Sequence, residues 1–451
     1  MDEVSFYTAL FSAKIVNHGL HLFKSAGTSL PGLVAMKLSK NFLSFLADYC
    51  ENDIVTITGT NGKTTTAGLL ANILKTAQKR VLHNEKGANM LTGIASSLAV
   101  SYKPQSKFDY AVLESDEAYL TKLYDYINAN YLLVTNLFHD QVDRYSEIDV
   151  TAKKIQNAID KNPNLKLFVN ADDPMLMELG KANKKIFFGF ENVKFETTIQ
   201  ETQTPPEIVP CACESALSYS ERYYAHIGKY YCEACGYRRP ELDYKGYVVI
   251  HEDYSEIFVK FYSDDEEKEL RFKTNLVGLY NAYNALAAIS MSLELGVDVA
   301  SIQTGLDTYK TAFGRAEKLM IDGKNVLVQL IKNPTGANEV LRTVNKNTTQ
   351  SLMIAINDNI ADGRDISWLW DTDFELLADY PNNIIVSGLR ADDMASRLKK
   401  AGFSEERIEV KKEVKTAFNY ALSKVNDGGQ MLVMPTYTAL LEMQKFLPAK
   451  R

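Results

Sequence analysis

The 451-residue sequence contains no apolar run of membrane-spanning length. Its first residues, Met1 to Phe11, lack the basic start and long apolar stretch of an export signal, so a cytoplasmic protein is expected. There is no excess of positive charge either. Fifty Lys and Arg stand against 57 Asp and Glu, and at a net charge of −7 bulk electrostatics will not hold the chain on nucleic acid. Twelve prolines and 24 glycines are too few for a collagen-like or disordered chain, and 46% hydrophobic with 24% charged residues is an ordinary globular balance. Cysteine is scarce: there are five, of which four fall between Cys211 and Cys235. In a reducing compartment that clustering reads as metal ligation before disulfide. Cys50, the one left over, is expected to be a small buried apolar residue.

Residues 1–50 place apolar side chains at helical spacing with a break at Pro31-Gly32. Two helices packed on the next domain are the favoured reading over membrane-surface binding. From Asp53, β-rich runs at Ile54–Ile57, Tyr110–Leu113, Tyr131–Thr135 and Lys166–Val169 alternate with helical stretches. That alternation predicts an α/β fold, a parallel sheet with helices on both faces. A Pro- and Thr-rich segment, 202–210, leads into the cysteines. Tyr247–His251, Glu256–Tyr262 and Leu270–Thr274 then read as antiparallel strands and Leu279–Leu295 as a helix. A boundary is expected near Lys318–Asp322. Strand-like runs at Val326–Ile331, Leu352–Ile356, Asn383–Val386, Ile408–Val410 and Met431–Met434 predict a second, Rossmann-like domain after it. The expected division is a helical segment 1–50, an ATP-binding domain 51–318 with a ribbon inserted at 205–241, and a C-terminal domain 319–451.

The strongest motif is Gly59-Thr60-Asn61-Gly62-Lys63-Thr64, between a predicted strand and a predicted helix. Glycines let backbone N–H groups approach phosphate, and the helix N-terminus adds a favourable dipole. Lys63 would neutralise charge on the β- and γ-phosphates, and the Thr64 hydroxyl would ligate Mg²⁺. The spacing is G-x-x-G-K-T, shorter than the common G-x-x-x-x-G-K-[ST], but the strand–turn–helix context favours a nucleoside triphosphate site over a glycine turn that binds nothing.

Cys232-Glu233-Ala234-Cys235-Gly236 is a good zinc half-site, because the turn aims both thiolates at one tetrahedral ion. Cys211-Ala212-Cys213 is one residue short of the usual spacing, and His226 is an alternative ligand to Cys211. Such a zinc would be structural, since four thiolates leave no open position for water. In the C-terminal part, the stretch from Asn357 to Asp371 follows a predicted strand and carries Asp358, Asp362, Asp365, Trp368 and Trp370. On this pattern alone plain turn chemistry is favoured over a ligand or partner loop.

The string TGTNGKTTT resembles the ATP-binding loop of the Mur ligases and their folylpolyglutamate synthase relatives. Other segments agree in order: Leu113-Glu114-Ser115-Asp116-Glu117, Thr135-Asn136 with Asp140 after it, Asn170-Ala171-Asp172-Asp173-Pro174, Gly278-Leu279-Tyr280-Asn281-Ala282-Tyr283-Asn284-Ala285, and Phe313-Gly314-Arg315-Ala316-Glu317. The resemblance spans roughly residues 50–451. It implies a Mur ligase-like P-loop domain and joining of an amine to a carboxylate through an acyl phosphate, with ATP and Mg²⁺. It further implies Glu114 as the carboxylate on the magnesium, Asn281 near the adenine and Arg315 facing the phosphates. The family's D-x-x-H-N-P segment is matched at Asn333-Pro334, but its aspartate is missing and Lys332 stands where its histidine would be.

The Asn357–Asp371 stretch, Lys332-Asn333-Pro334 and the inserted cysteine ribbon are similar to the ATP-binding subunits of the lipid II amidotransferases in this family. That likeness implies amidation of the α-carboxylate of D-glutamate in the lipid II stem peptide, giving D-isoglutamine. It also implies a glutaminase partner, GatD, whose Cys–His pair is completed by Asp358, with Asp362 and Asp365 as alternatives. Membrane association would then come through the lipid-linked substrate. An amino-acid-adding ligase of the Mur or folylpolyglutamate type is the rival enzyme, and an ATP-gated binding module the rival of another class.

Overall fold

A computed structural model describes residues 3–22, 29–85, 88–104, 106–138, 146–196, 209–311 and 315–447. The strand before the phosphate loop, Ile54–Thr58, is buried at all five positions, as a parallel strand covered on both faces must be. Ile54 packs with Leu82, Ala111, Leu113 and Leu132 on one face. Val55 and Ile57 pack with Ala67, Leu70, Val112 and Leu133 on the other. Thr56, buried between them, satisfies its hydroxyl on Tyr124 Oη at 2.6 Å and the Tyr131 carbonyl at 3.0 Å.

This strand sits inside a nine-stranded sheet. In spatial order its strands are Glu266–Thr274, Ser255–Ser263, Tyr244–Ile250, Lys185–Phe195, Lys166–Asn170, Tyr131–Val134, Ile54–Thr58, Tyr110–Glu114 and Val81–His83. All neighbours pair in parallel except the last hairpins, where Tyr244–Ile250, Ser255–Ser263 and Glu266–Thr274 are antiparallel. Those three expected antiparallel strands therefore extend the main sheet. The carboxyl ends of the parallel strands deliver the phosphate loop, Glu114, Thr135-Asn136 and Asp172-Asp173 to one edge, where ligands gather in such sheets.

A second sheet of six strands follows, in the order Arg315–Ile321, Lys324–Gln329, Gln430–Pro435, Thr349–Ala355, Ile384–Ser387 and Ile408–Val410. The first pair is antiparallel and the rest are parallel, with apolar layers on both sides. The boundary expected at Lys318–Asp322 falls inside the first hairpin. Asp322, at φ +49°, and Gly323, at φ +75°, make its turn, so Arg315–Ile321 belongs to the second sheet.

At the N-terminus, helices Glu3–Leu22 and Leu30–Leu38 pack on each other and on helix Leu91–Ser101 of the first domain, burying Phe6, Ala9, Leu10, Ala13 and Ala35. Pro31 opens the second helix instead of breaking one, because a proline in the first turn gives up no helical hydrogen bond. Cys50 is half-buried, and burial pushes its thiol pKa up to about 11. Among the described residues no helix is long and apolar enough to cross a membrane.

Candidate active site and metal centre

The turn between Thr58 and Lys63 is fixed from outside. Gly59, at φ +126°, has no room for a side chain: a Cβ would lie 2.3 Å from Thr135 Oγ1. At Gly62, φ +87°, a Cβ would lie 2.0 Å from Asn284 Oδ1. Thr60 N donates to the Asn136 carbonyl at 2.9 Å, Asn61 N to Asn136 Oδ1 at 2.9 Å, and Thr135 Oγ1 to the Asn61 carbonyl at 2.7 Å. Helix Lys63–Thr76 starts directly after Gly62, so its free N–H groups and dipole point into the turn.

Two charged side chains meet there. Lys63 Nζ donates to the Gly59 carbonyl and lies 2.8 Å from Glu117 Oε1, which also accepts Gly59 N at 3.2 Å. Thr64 Oγ1 donates to Glu114 Oε1 at 2.8 Å. Glu114 is 1% exposed, and its second oxygen, Oε2, is buried with no hydrogen-bond partner among the described residues. A bare buried carboxylate oxygen is costly unless a cation takes it, so Thr64 and Glu114 fit a magnesium ion. Asn84 clamps Glu114 in place, donating to its carbonyl at 2.7 Å and accepting its N–H at 2.9 Å.

Other expected site residues stand as follows. Asn281 is nearly buried and donates Nδ2 to the Val277 carbonyl of its own helix region at 2.9 Å. Arg315 begins the first strand of the second sheet, but its side chain lies outside the described residues, as do Asp140, Phe313 and Gly314. The second sheet nevertheless reaches the phosphate loop. Lys332 Nζ donates to the Thr60 carbonyl at 3.3 Å, and Asn333 Nδ2 to Asn61 Oδ1 at 3.2 Å. Asn333 also caps helix Pro334–Arg342 by accepting Gly336 N at 2.8 Å.

Glu117, Asn84, Asn136 and Asn284 carried no assigned role in the sequence. Glu117 was visible as an acid at a helix start. Nothing in the sequence singled out Asn84, whose partner Glu114 is thirty residues away.

The four clustered cysteines converge, with all Sγ atoms within 4.8 Å of one another. Cys211 lies 3.6 Å from Cys235 and Cys213 lies 3.5 Å from Cys232, Sγ to Sγ. Four sulfurs at about 2.3 Å from a tetrahedral zinc would lie about 3.8 Å apart, so this donor set fits the ion. Cys211 is a full member despite its short spacing, because Glu214, at φ +66°, turns the first knuckle back on itself. His226 is not an alternative ligand: it is fully buried elsewhere, with Nε2 3.2 Å from Asp173 Oδ1 and its ring against Phe138. The ribbon is anchored to the sheet by Arg239, which donates to Asp172 at 2.7 Å and Glu191 at 2.6 Å. Asp172 in turn accepts the Tyr283 hydroxyl and Phe190 N, each at 2.7 Å.

The three acids after strand Thr349–Ala355 differ in what occupies them. Asp362 accepts Thr438 N at 2.7 Å and Asn359 N at 3.1 Å, closing its own turn. Asp365 accepts Ser367 N at 2.8 Å. Asp358 instead takes Arg390 Nε at 2.8 Å and Nη2 at 2.6 Å on one oxygen, Oδ2, and is part-exposed beside Ile360 and Leu389, which are 81% and 63% exposed. Of the two tryptophans, Trp368 is core and Trp370 faces solvent.

Residues 57–215 match the Mur ligase middle domain and residues 330–440 the MurT ligase C-terminal domain. The chain is 36% identical to the MurT subunit of lipid II isoglutaminyl synthase (glutamine-hydrolysing) of Streptococcus pneumoniae, over 94% of this chain and 93% of that one. It is 34% identical to the Staphylococcus aureus subunit of the same name, over 97% and 96%. Among solved structures, a pseudomurein peptide ligase type C from Methanothermus fervidus superposes with a TM-score of 0.66 at 23% identity, covering 89% of this chain and 79% of that one. MurF from Acinetobacter baumannii superposes with a TM-score of 0.62 at 15% identity, covering 93% and 80%. At such identities these two structures speak for the fold alone. The chain belongs to the MurT family of ATP-dependent, Mur-type ligases.

Proposed function

We propose that the chain is the synthetase subunit of a glutamine-dependent amidotransferase. It uses ATP to amidate the α-carboxylate of D-glutamate in the lipid II stem peptide, forming D-isoglutamine, ADP and phosphate. The observation that carries the reading is the pairing of Thr64 with Glu114, whose second carboxylate oxygen is buried and bare, at the start of a phosphate-binding helix. Bound there, Mg²⁺ would offset charge on the nucleotide phosphates. Lys63 moves from Glu117 to phosphate, and the Gly59–Gly62 backbone cradles it. Lys332 and Asn333 bring the second sheet to the same loop, so closure of the two sheets on nucleotide passes through them, with Arg315 proposed to face the phosphates. The substrate carboxylate attacks the γ-phosphorus and becomes an acyl phosphate. Ammonia displaces phosphate from its carbonyl carbon, which replaces a very poor leaving group by a good one.

Nitrogen comes from a partner. Cys50 is the single cysteine outside the zinc ribbon, and its high thiol pKa suits no nucleophile. A glutaminase subunit, GatD, would dock on the apolar surface of Ile360 and Leu389, with Asp358 orienting the histidine of its Cys–His pair. Asp358 is preferred over Asp362 and Asp365, whose oxygens hold their own turns. The zinc site is structural and holds the ribbon.

Incubation of the chain with lipid II, ATP, Mg²⁺ and ammonium chloride tests the reading. Amidated lipid II supports it. Product only when an amino acid is added would mean an amino-acid-adding ligase, and no product in either case a binding module.

A further inference from the structure

We propose that the N-terminal helix pair is a docking surface for an anionic lipid bilayer. The inference rests on the lipid-linked substrate of the reading above and assigns this chain its own contact with the membrane. Helix Glu3–Leu22 is apolar on two opposite sides. Phe6, Ala9, Leu10 and Ala13 are buried in the core shared with the second helix, helix Leu91–Ser101 and Phe42 and Phe45, which is all that attachment to the domain requires. Val4, Tyr7, Phe11 and Ile15, at spacings of three and four, form a second stripe with exposures of 72%, 46%, 68% and 56%. The neighbouring helix adds exposed Leu30, Leu33 and Leu38. Single exposed apolar residues are normal, but a continuous stripe on a helix already anchored by its other side marks an interaction surface.

Charge selects the occupant. On the helix pair, Lys14 is held by the Tyr102 carbonyl at 2.8 Å, which leaves Lys37 and Lys40 as the exposed cations against Glu3. Lys37 is exposed one turn from Leu33, and Lys40 is exposed just past the helix end. An apolar stripe flanked by lysines, whose stems can lie along the apolar face, is the pattern of an interfacial helix. Since no described helix can cross a bilayer, the pair would lie in the interfacial plane.

The surface is also near the candidate site. Gly32 packs so tightly on the next helix, Leu91–Ser101, that a Cβ would lie 1.9 Å from the Thr92 carbonyl. Asn84, seven residues before that helix in sequence, clamps Glu114. A bilayer on the helix pair would thus hold a lipid-linked head group one helix away from the magnesium carboxylate.

Sedimentation of the full chain with phosphatidylglycerol vesicles and with phosphatidylcholine vesicles tests this, beside the double variant Phe11→Ser/Ile15→Ser. Both substituted residues are exposed, so thermal melts should not change. The wild type should sediment with phosphatidylglycerol and several-fold less with phosphatidylcholine, and the double variant should lose roughly tenfold in binding. In parallel, ammonia-dependent amidation of a short-chain, detergent-solubilised lipid II is measured for both proteins and should be equal. Equal amidation without vesicle binding by the wild type overturns the docking proposal and leaves the substrate reading standing. Vesicle binding without amidation overturns the substrate reading instead. Equal sedimentation of wild type and double variant removes the stripe from the docking surface and overturns the proposal. A fall in molar mass on substitution, with no vesicle binding, assigns the stripe to a second copy of the chain and also overturns it.

Discussion

Lys63 Nζ lies 2.8 Å from Glu117 Oε1, so the lysine of the glycine-rich turn is already paired by a carboxylate from the first residue of helix Glu117–Leu123. Burial alone would lower the lysine pKa, but Glu117 more than offsets it, and the ammonium titrates above its ordinary value. In the proposed function phosphate has to take Lys63 from Glu117. Lys63→Ala should abolish ATP turnover with the fold intact. Glu117→Gln keeps an acceptor for Gly59 N and removes the competing charge, so ATP should bind at least as tightly as to the wild type. Calorimetry showing that Glu117→Gln loses nucleotide as Lys63→Ala does would make Glu117 part of the nucleotide site instead.

Asp358 accepts two bonds from Arg390 but lies at a part-exposed rim, where solvent screens such a pair. Asp358→Asn should leave the fold and ammonia-dependent amidation intact. Glutamine-dependent amidation in the assembled complex should fall by about three to four orders of magnitude, because a neutral amide cannot stabilise the partner's imidazolium. Equal loss with both nitrogen sources would return the residue to the synthetase or the fold.

Purified protein should hold about one zinc per chain, as a tetrahedral four-thiolate site requires. Chelation should lower the melting temperature, since metal binding free energy becomes folding free energy in such ribbons. The Arg239 anchor on Asp172 predicts that the loss is felt in the main sheet as well as in the ribbon. Elemental analysis finding no zinc in undamaged protein would contradict the site.

Cys50 should be inert at neutral pH. Burial disfavours its thiolate and sets the thiol pKa to about 11, so at pH 8 the reactive form is roughly a hundredfold scarcer than for an ordinary thiol. Alkylation of the zinc-loaded protein should be slow at pH 8 and rise steadily toward pH 11. Fast labelling at pH 8 that maps to Cys50 would refute this.

Much of the fold could be read before the coordinates, and the exceptions have physical reasons. Strands such as Ile54–Thr58 and Tyr131–Val134 are buried on both faces, so they stand out as continuous apolar runs. Val81–His83, three residues at the sheet edge, is too short to show a period. Lys185–Phe195 was missed because a register shift between Phe190 and Asn192 interrupts its alternation. Arg315–Ile321 has no regular alternation, with Glu317-Lys318 charged and Leu319 to Ile321 apolar, and its partner strand comes after it, so a boundary is expected where the structure has a hairpin. At the site, the glycines, Lys63 and Thr64 are contiguous and legible. Asn84 and Glu117 act through contacts made thirty or more positions away, which spacing does not reveal. His226, plausible by sequence proximity to the cysteines, is drawn away by Asp173.

The central claim is activation of the D-glutamate α-carboxylate by phosphorylation, and oxygen tracing tests it most directly. Lipid II labelled with ¹⁸O in that carboxylate is incubated with the chain, ATP, Mg²⁺ and ammonium chloride, and the released phosphate is examined by mass spectrometry. The account predicts one labelled oxygen in each phosphate released per D-isoglutamine formed. Amidated product accompanied by unlabelled phosphate would contradict it.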